Sequence, residues 1–239
     1  MNAENAGSAG NAVAGNPGPE AALRPTEFFD HASPEVRDFV DASVKDHDAD
    51  PVQKVVDLYY AVRDGLFYEV YGADLSREGL RSSAVLRAGQ GFCIHKSIVF
   101  ASAVRAVGVP SRIVFADVRN HLASDRLKEL IGGDVFFHAL TSVHVNGRWT
   151  RATPVFNKLL CRLYGMRPLE FDGSADSLHH PYRDGENGAH MEFLKEHGEF
   201  DDLPYDFVME NMRRSHPRFL EGAGTVSGGS LAKEAGSSS

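Results

Sequence analysis

Two runs of alternating character, FFHALTSVHV (136–145) and RWTRATPV (148–155), flank the pair Asn146-Gly147. Asn-Gly between runs of period two marks a two-residue β-hairpin turn, because both residues accept the positive φ such a turn needs. The run SRIVFADV (111–118) alternates in the same way just after Pro110. An antiparallel sheet therefore occupies the middle of the chain.

Upstream the period changes. Ser33 before Pro34 reads as an N-cap followed by a proline at the first helical position, and Val36, Phe39, Val40 and Val44 keep one face apolar. Asp50 and Pro51 repeat the device, with Val52, Val55, Val56, Tyr59 and Val62 behind them. GLFYEVYG is a short strand-like run, and SSAVLRAGQG a brief helical turn leading to a loop. From Cys93 a further helix is expected, with Ile94, Ile98 and Ala101 inward and Gly108 as its stop. Helices followed by strands give an α+β class, with N-terminal helices packed on an antiparallel sheet. Residues 158 to about 216 are polar, with weak periodicity, and only LPYDFVMENMRR reads as helical there.

Residues 1–24 are mostly Ala, Gly, Asn and Pro with almost nothing to bury, and residues 221–239, EGAGTVSGGSLAKEAGSSS, repeat that character, so both ends are expected to be disordered tails. They bracket one domain, 25–220, with a poorly defined extension from about 158. The first residues lack the basic and apolar regions of a signal peptide, and no stretch approaches the ~18 apolar residues of a membrane span. With a net charge of −8, the chain advertises no basic face, so neither nucleic acid nor a membrane is an expected partner. Two cysteines, Cys93 and Cys161, make no disulfide framework at this length. A reducing, cytoplasmic setting is the expectation.

The chemistry concentrates at AGQGFCIHK (88–96). A thiol at a helix N-terminus meets unsatisfied N–H groups and the positive end of the helix dipole, both of which favour thiolate. Cys93 is therefore expected to have a depressed pKa and to outpace Cys161. Gly89 and Gly91 would let the backbone approach a substrate, and the turn of Gln90, Gly91 and Phe92 could stabilise an oxyanion. The default for an isolated cysteine is a small buried hydrophobe, and Cys161, without a turn or glycine before it, keeps that reading. A cysteine nucleophile needs a base distant in sequence, and His138 heads a strand. His144 lies too far along that strand, and His95 should point away around the helix. His179, His180, His190 and His197 match no zinc spacing, so no metal is expected. Asp46–Asp50 resembles the start of a calcium loop, but Pro51 stands where glycine is required, and Asp50 is better read as a cap. Trp149 is read as packing.

The phrases GQGFCIHKSIVFASAVRAVGVPSRIV, HALTSVHVNGRW and TRATPVFN resemble, in order and spacing, the transglutaminase-like superfamily of papain-related cysteine enzymes. The likeness runs from about residue 55 to 157. It implies a papain-like core with Cys93 as nucleophile and His138 as general base and acid. It also implies an acyl-thioenzyme formed from an amide, ester or thioester carbonyl, without cofactor. A peptide, protein or small molecule would supply the acyl group, and water or an amine would take it. The family's Asp, four residues after the Trp, falls on Thr153, whose hydroxyl can accept a hydrogen bond but carries no charge. Asn157 is the alternative third member. The competing readings are a catalytically impaired binding or scaffold module, and a small metalloprotein built on the 179–197 histidines.

Overall fold

The computed structural model describes residues 18–121, 125–178, 191–220 and 230–231. Most of both expected tails, and His179, His180 and His190, lie outside the described residues. The packed chain nevertheless begins earlier than expected: Pro19–Leu23 forms a 3-10 turn that buries Ala22.

The elements run α1 (Pro34–Ser43), α2 (Pro51–Gly65), β1 (Phe67–Tyr68), α3 (Ser82–Ala88), β2 (Gln90–Gly91), α4 (Cys93–Ala106), β3 (Ser111–Asn120), α5 (Asp125–Ile131), β4 (Val135–Val145), β5 (Arg148–Ala152), α6 (Lys158–Leu163), β6 (Met191–Phe200), α7 (Tyr205–Ser215) and α8 (Pro217–Leu220). Both proline-started helices are capped as the sequence predicts. Ser33 Oγ accepts from Val36 N at 3.4 Å, and Asp50 Oδ1 accepts from Val52 N at 2.9 Å and Gln53 N at 3.1 Å. The hairpin turn also forms, with φ of 52° at Asn146 and 71° at Gly147.

The main sheet has the order β5-β4-β3-β6 and is antiparallel throughout. β6 comes from the stretch expected to be a poorly defined extension. Its period is hidden because it is an edge strand, largely half-exposed on both faces, with two register shifts against β3.

Along β4, Phe137 and Ala139 belong to the core, and Thr141 Oγ1 donates to Ser97 O of α4 at 3.1 Å. These odd-numbered residues face α4. By the pleat, His138, Leu140 and Ser142 face the other way. α4 is buried from Cys93 to Arg105, because α1–α3 cover the flank that the sheet leaves free. A surface helix would show an apolar stripe; this one is inside on all sides. Its two cations are satisfied by carbonyls. Lys96 Nζ donates to Arg63 O and Leu66 O, each at 2.8 Å, closing the end of α2, while Arg105 reaches Arg24 O, Ser111 O and Asp201 O. Each Ile, Val or Phe so buried contributes roughly 1.5–3 kcal/mol. That burial fixes the start of α4 against β4. Among the described residues, no helix is long and apolar enough to cross a membrane.

Candidate active site

The turn before Cys93 requires its two glycines for different reasons. Gly89 ends α3 at φ 66°, in the left-handed region, and its N–H reaches back to Leu86 O and Val85 O. Gly91 needs space instead: a Cβ there would lie 2.5 Å from His95 Cβ. β1 and β2 lock the turn from outside through Phe67 N to Gly89 O at 3.0 Å and Glu69 N to Gly91 O at 3.1 Å. His95 is buried, its Nε2 lies 2.9 Å from Asp74 O, and its ring packs on Phe92. Burial holds its pKa down at about 4, so the ring is neutral.

Cys93 opens α4, and no side chain caps that end. Its Sγ is instead met by backbone N–H groups of Ala139, Ile94 and Cys93 itself. Burial outweighs them. The thiol is 5% exposed, and desolvation pushes its pKa up to about 11. This corrects the expected depressed pKa: helix-end donors are present, but the water that would help solvate a thiolate is excluded. Cys161, fully buried with Sγ directed at Phe156 O, is also pushed up to about 11 by burial. Burial raises both thiols alike, so resting acidity does not separate the two cysteines.

Ala139 can donate to sulfur because of how β5 ends. β5 pairs with β4 only from Thr141 to Val145, leaving the next stretch of that edge without a strand. The N–H groups there find other acceptors: Ala139 meets Cys93 Sγ, and Phe137 N donates to His216 Nε2 at 3.0 Å. His216 Nδ1 in turn faces Ile131 O at 2.9 Å, which fixes it as the neutral donor–acceptor tautomer. Nucleophile and His216 thus bracket residue 138 along one strand edge. His138 itself is 3% exposed, its ring 6.2 Å from that of Phe193. Sequence reasoning missed His216; a lone histidine after a helix carries no periodic or spacing signal.

The two candidates for a third member stand differently. Thr153 is 1% exposed, one residue past the paired end of β5, where the register extends it opposite Leu140, diagonal to His138. Its Oγ1 makes no hydrogen bond among the described residues, so the expected bond to His138 is not formed here. Asn157 caps α6 instead, its Oδ1 accepting from Leu160 N at 2.8 Å. His144 and Arg112 both pack on Trp149, in keeping with its packing role. His197 pairs with Asp117 at 2.9 Å. Among the described residues, no group of three His, Cys, Asp or Glu side chains could hold a metal.

Two openings flank the site. A cavity of about 250 Å³ lies over Ala116 and Leu140, on the sheet face that carries His138, with Phe193 in its wall. A second, of about 170 Å³, runs past Tyr68, Gln90 and Asn157.

No curated protein matches the chain. Among solved structures, it is similar to a candidate cysteine protease from Cytophaga hutchinsonii, at 13% identity and a TM-score of 0.43. That likeness covers 60% of this chain and 44% of the other. It is also similar to a candidate protease from Parabacteroides distasonis ATCC 8503, at 15% identity and a TM-score of 0.34, over 57% of this chain and 26% of the other. The chain thus spans less than half the length of either. Residues 38–154, which hold α2 to β5, the glycine turn, Cys93 and His138, match the family model for the transglutaminase-like superfamily.

Proposed function

We propose that the chain is a cysteine enzyme that forms an acyl-thioenzyme on Cys93 from an amide, ester or thioester carbonyl and passes the acyl group to water or an amine. The observation that carries this reading is the seat of Cys93 Sγ at the uncapped start of α4, facing the N–H of Ala139 beside His138. A thiol held near 11 does not ionise alone at neutral pH. At pH 8 its thiolate fraction is on the order of 10⁻³. A base is therefore required, and we assign it to His138, which leaves β4 on the face away from α4 and would have to turn round the strand edge that β5 leaves free to reach the sulfur. His138 takes the thiol proton as the C–S bond forms. The N–H groups of Cys93 and Ile94, in the turn opened by Gln90, Gly91 and Phe92, receive the oxyanion. The imidazolium then protonates the leaving amine, alcohol or thiol as the C–N, C–O or C–S bond breaks. Water or an acceptor amine, deprotonated by His138, releases the product.

Thr153 supplies the third member in this reading. Its buried, unpartnered hydroxyl lies one residue past the paired end of β5, diagonal to His138, and accepts from the imidazole when His138 turns toward the sulfur. The second reading, an impaired binding module, is favoured by one observation, the replacement of a charged residue by Thr153.

A thiol electrophile with peptide mapping separates the two. Labelling of Cys93 over Cys161 at pH 8, slowed on the order of a hundredfold by His138→Ala, is the expected result. Equal labelling in the wild type and His138→Ala would remove the base from the mechanism, and with it the catalytic reading.

A further inference from the structure

Tyr68 stands at the turn before the nucleophile with its hydroxyl unused. In the parallel pairing of β1 with β2 it lies opposite Gly91, between the bonds from Phe67 N to Gly89 O and from Glu69 N to Gly91 O. The residue is thereby locked to the turn that leads into Cys93. Its ring packs against the core cluster that holds Phe92 and Cys93, and meets the ring of Phe156 edge-on at 4.8 Å. On its open side it lines the 170 Å³ cavity with Gln90 and Asn157. The hydroxyls of Tyr59, Tyr60 and Tyr205 each donate to an oxygen, at 2.9 Å, 2.8 Å and 3.1 Å. Among the described residues, the Tyr68 hydroxyl makes no such bond. Burial first, and then the negative charge that Cys93 would carry, hold its phenol well above the ordinary range, so it keeps its proton and stays a donor.

We propose that Tyr68 is a further catalytic residue, whose Oη–H donates to the oxyanion that forms when Cys93 attacks a carbonyl. At rest the sulfur already draws on the N–H groups of Ala139, Ile94 and Cys93, and the phenol has nothing to stabilise. When the C–S bond forms, the carbonyl π pair moves onto oxygen. That oxygen is bonded to the carbon the sulfur has attacked, so a donor beside the sulfur is beside the oxyanion. Tyr68 lends a hydrogen bond without giving up its proton, and the bond is released when the oxyanion collapses and the leaving group departs. A donor held in place but idle in the resting protein costs no rearrangement at the moment of reaction. This role rests on the reading of Cys93 as nucleophile given above.

The test compares two reactions of the same sulfur in the full-length chain. p-Nitrophenyl acetate acetylates a thiol through a tetrahedral oxyanion and expels p-nitrophenolate. Iodoacetamide alkylates it by displacing iodide from a saturated carbon, with no oxyanion on the way. Both modifications are followed at Cys93 by peptide mapping, with Cys161 in the same digests as the monitor of any general loosening. Tyr68→Phe keeps the ring against Phe156 and removes only the hydroxyl. The expected result is acetylation of Cys93 slowed on the order of a hundredfold in Tyr68→Phe, with its alkylation and the labelling of Cys161 unchanged. Because the hydroxyl has no partner to lose, Tm should not fall. Acetylation at the same rate in wild type and Tyr68→Phe overturns the proposal. Equal slowing of acetylation and alkylation also overturns it, since that would place the hydroxyl on the thiolate instead. A wild type whose Cys93 is alkylated but never acetylated removes the acyl-thioenzyme reading itself, and the role of Tyr68 with it.

Discussion

Replacing Thr153 by Val deletes one hydroxyl from a side chain that is 1% exposed and whose Oγ1 has no hydrogen-bond partner among the described residues. A buried hydroxyl left unsatisfied costs about 1–3 kcal/mol, whereas a methyl of the same shape carries no such penalty. Val at this position should therefore stabilise the resting fold by about 1 kcal/mol, raising Tm by roughly 2–4 °C in a domain of this size. Thr141 supplies the control, since it is equally buried but donates to Ser97 O at 3.1 Å. Thr141→Val loses that bond and should lower Tm by a comparable amount. Turnover moves the other way at position 153. If the hydroxyl accepts from His138 only during the reaction, its loss removes ~0.5–1.5 kcal/mol, a two- to tenfold fall in kcat. Calorimetry and a turnover assay on both variants provide the four numbers. A lower Tm for Thr153→Val would show that the hydroxyl is already engaged in the resting protein and refute the reasoning; a higher Tm with unchanged kcat would take Thr153 out of the reaction.

His95 makes stability depend on pH in a stated direction. Its folded pKa of about 4 lies below the free value of ~6.5, so between those values the unfolded chain binds the extra proton. The contribution, on the order of 3 kcal/mol, is complete above pH ~6.5 and is lost as pH falls toward 4. Urea unfolding from pH 7 to 4.5 should show this loss, and His95→Gln should flatten it; identical slopes would contradict the burial argument. Asn157→Ala should cost ~1 kcal/mol as a lost N-cap of α6 while leaving turnover per folded molecule intact, whereas inactivity with an unchanged Tm would return Asn157 to the catalytic site. Gly91→Ala should destabilise by roughly 1–3 kcal/mol, because the new methyl meets His95; a Tm equal to the wild type would mean that His95 moves aside freely.

The sequence by itself determined whatever depends on neighbours a few residues apart. The caps at Ser33 and Asp50, the Asn146-Gly147 turn and the alternation of β3 and β4 are local conformational preferences, and each formed as written. The order of the motifs was enough to point to a transglutaminase-like, α+β core with Cys93 at a helix start and His138 on a strand. What only the tertiary structure decided concerns solvent and distant partners. Helix-end position argued for an acidic thiol at Cys93, but burial by elements far apart in sequence sets the opposite direction. Gly91 could be recognised as a glycine position but not as one reserved for His95. β6 was illegible because a half-exposed edge strand with register shifts has no clean period. Nothing local joins His216 to the Phe137 N–H or Leu231 to Glu69, since these partners are separated by 79 and 162 residues and meet only when the chain has closed on itself. Local preference fixes which elements form; desolvation and long-range pairing, which exist only in the packed chain, fix how their side chains behave.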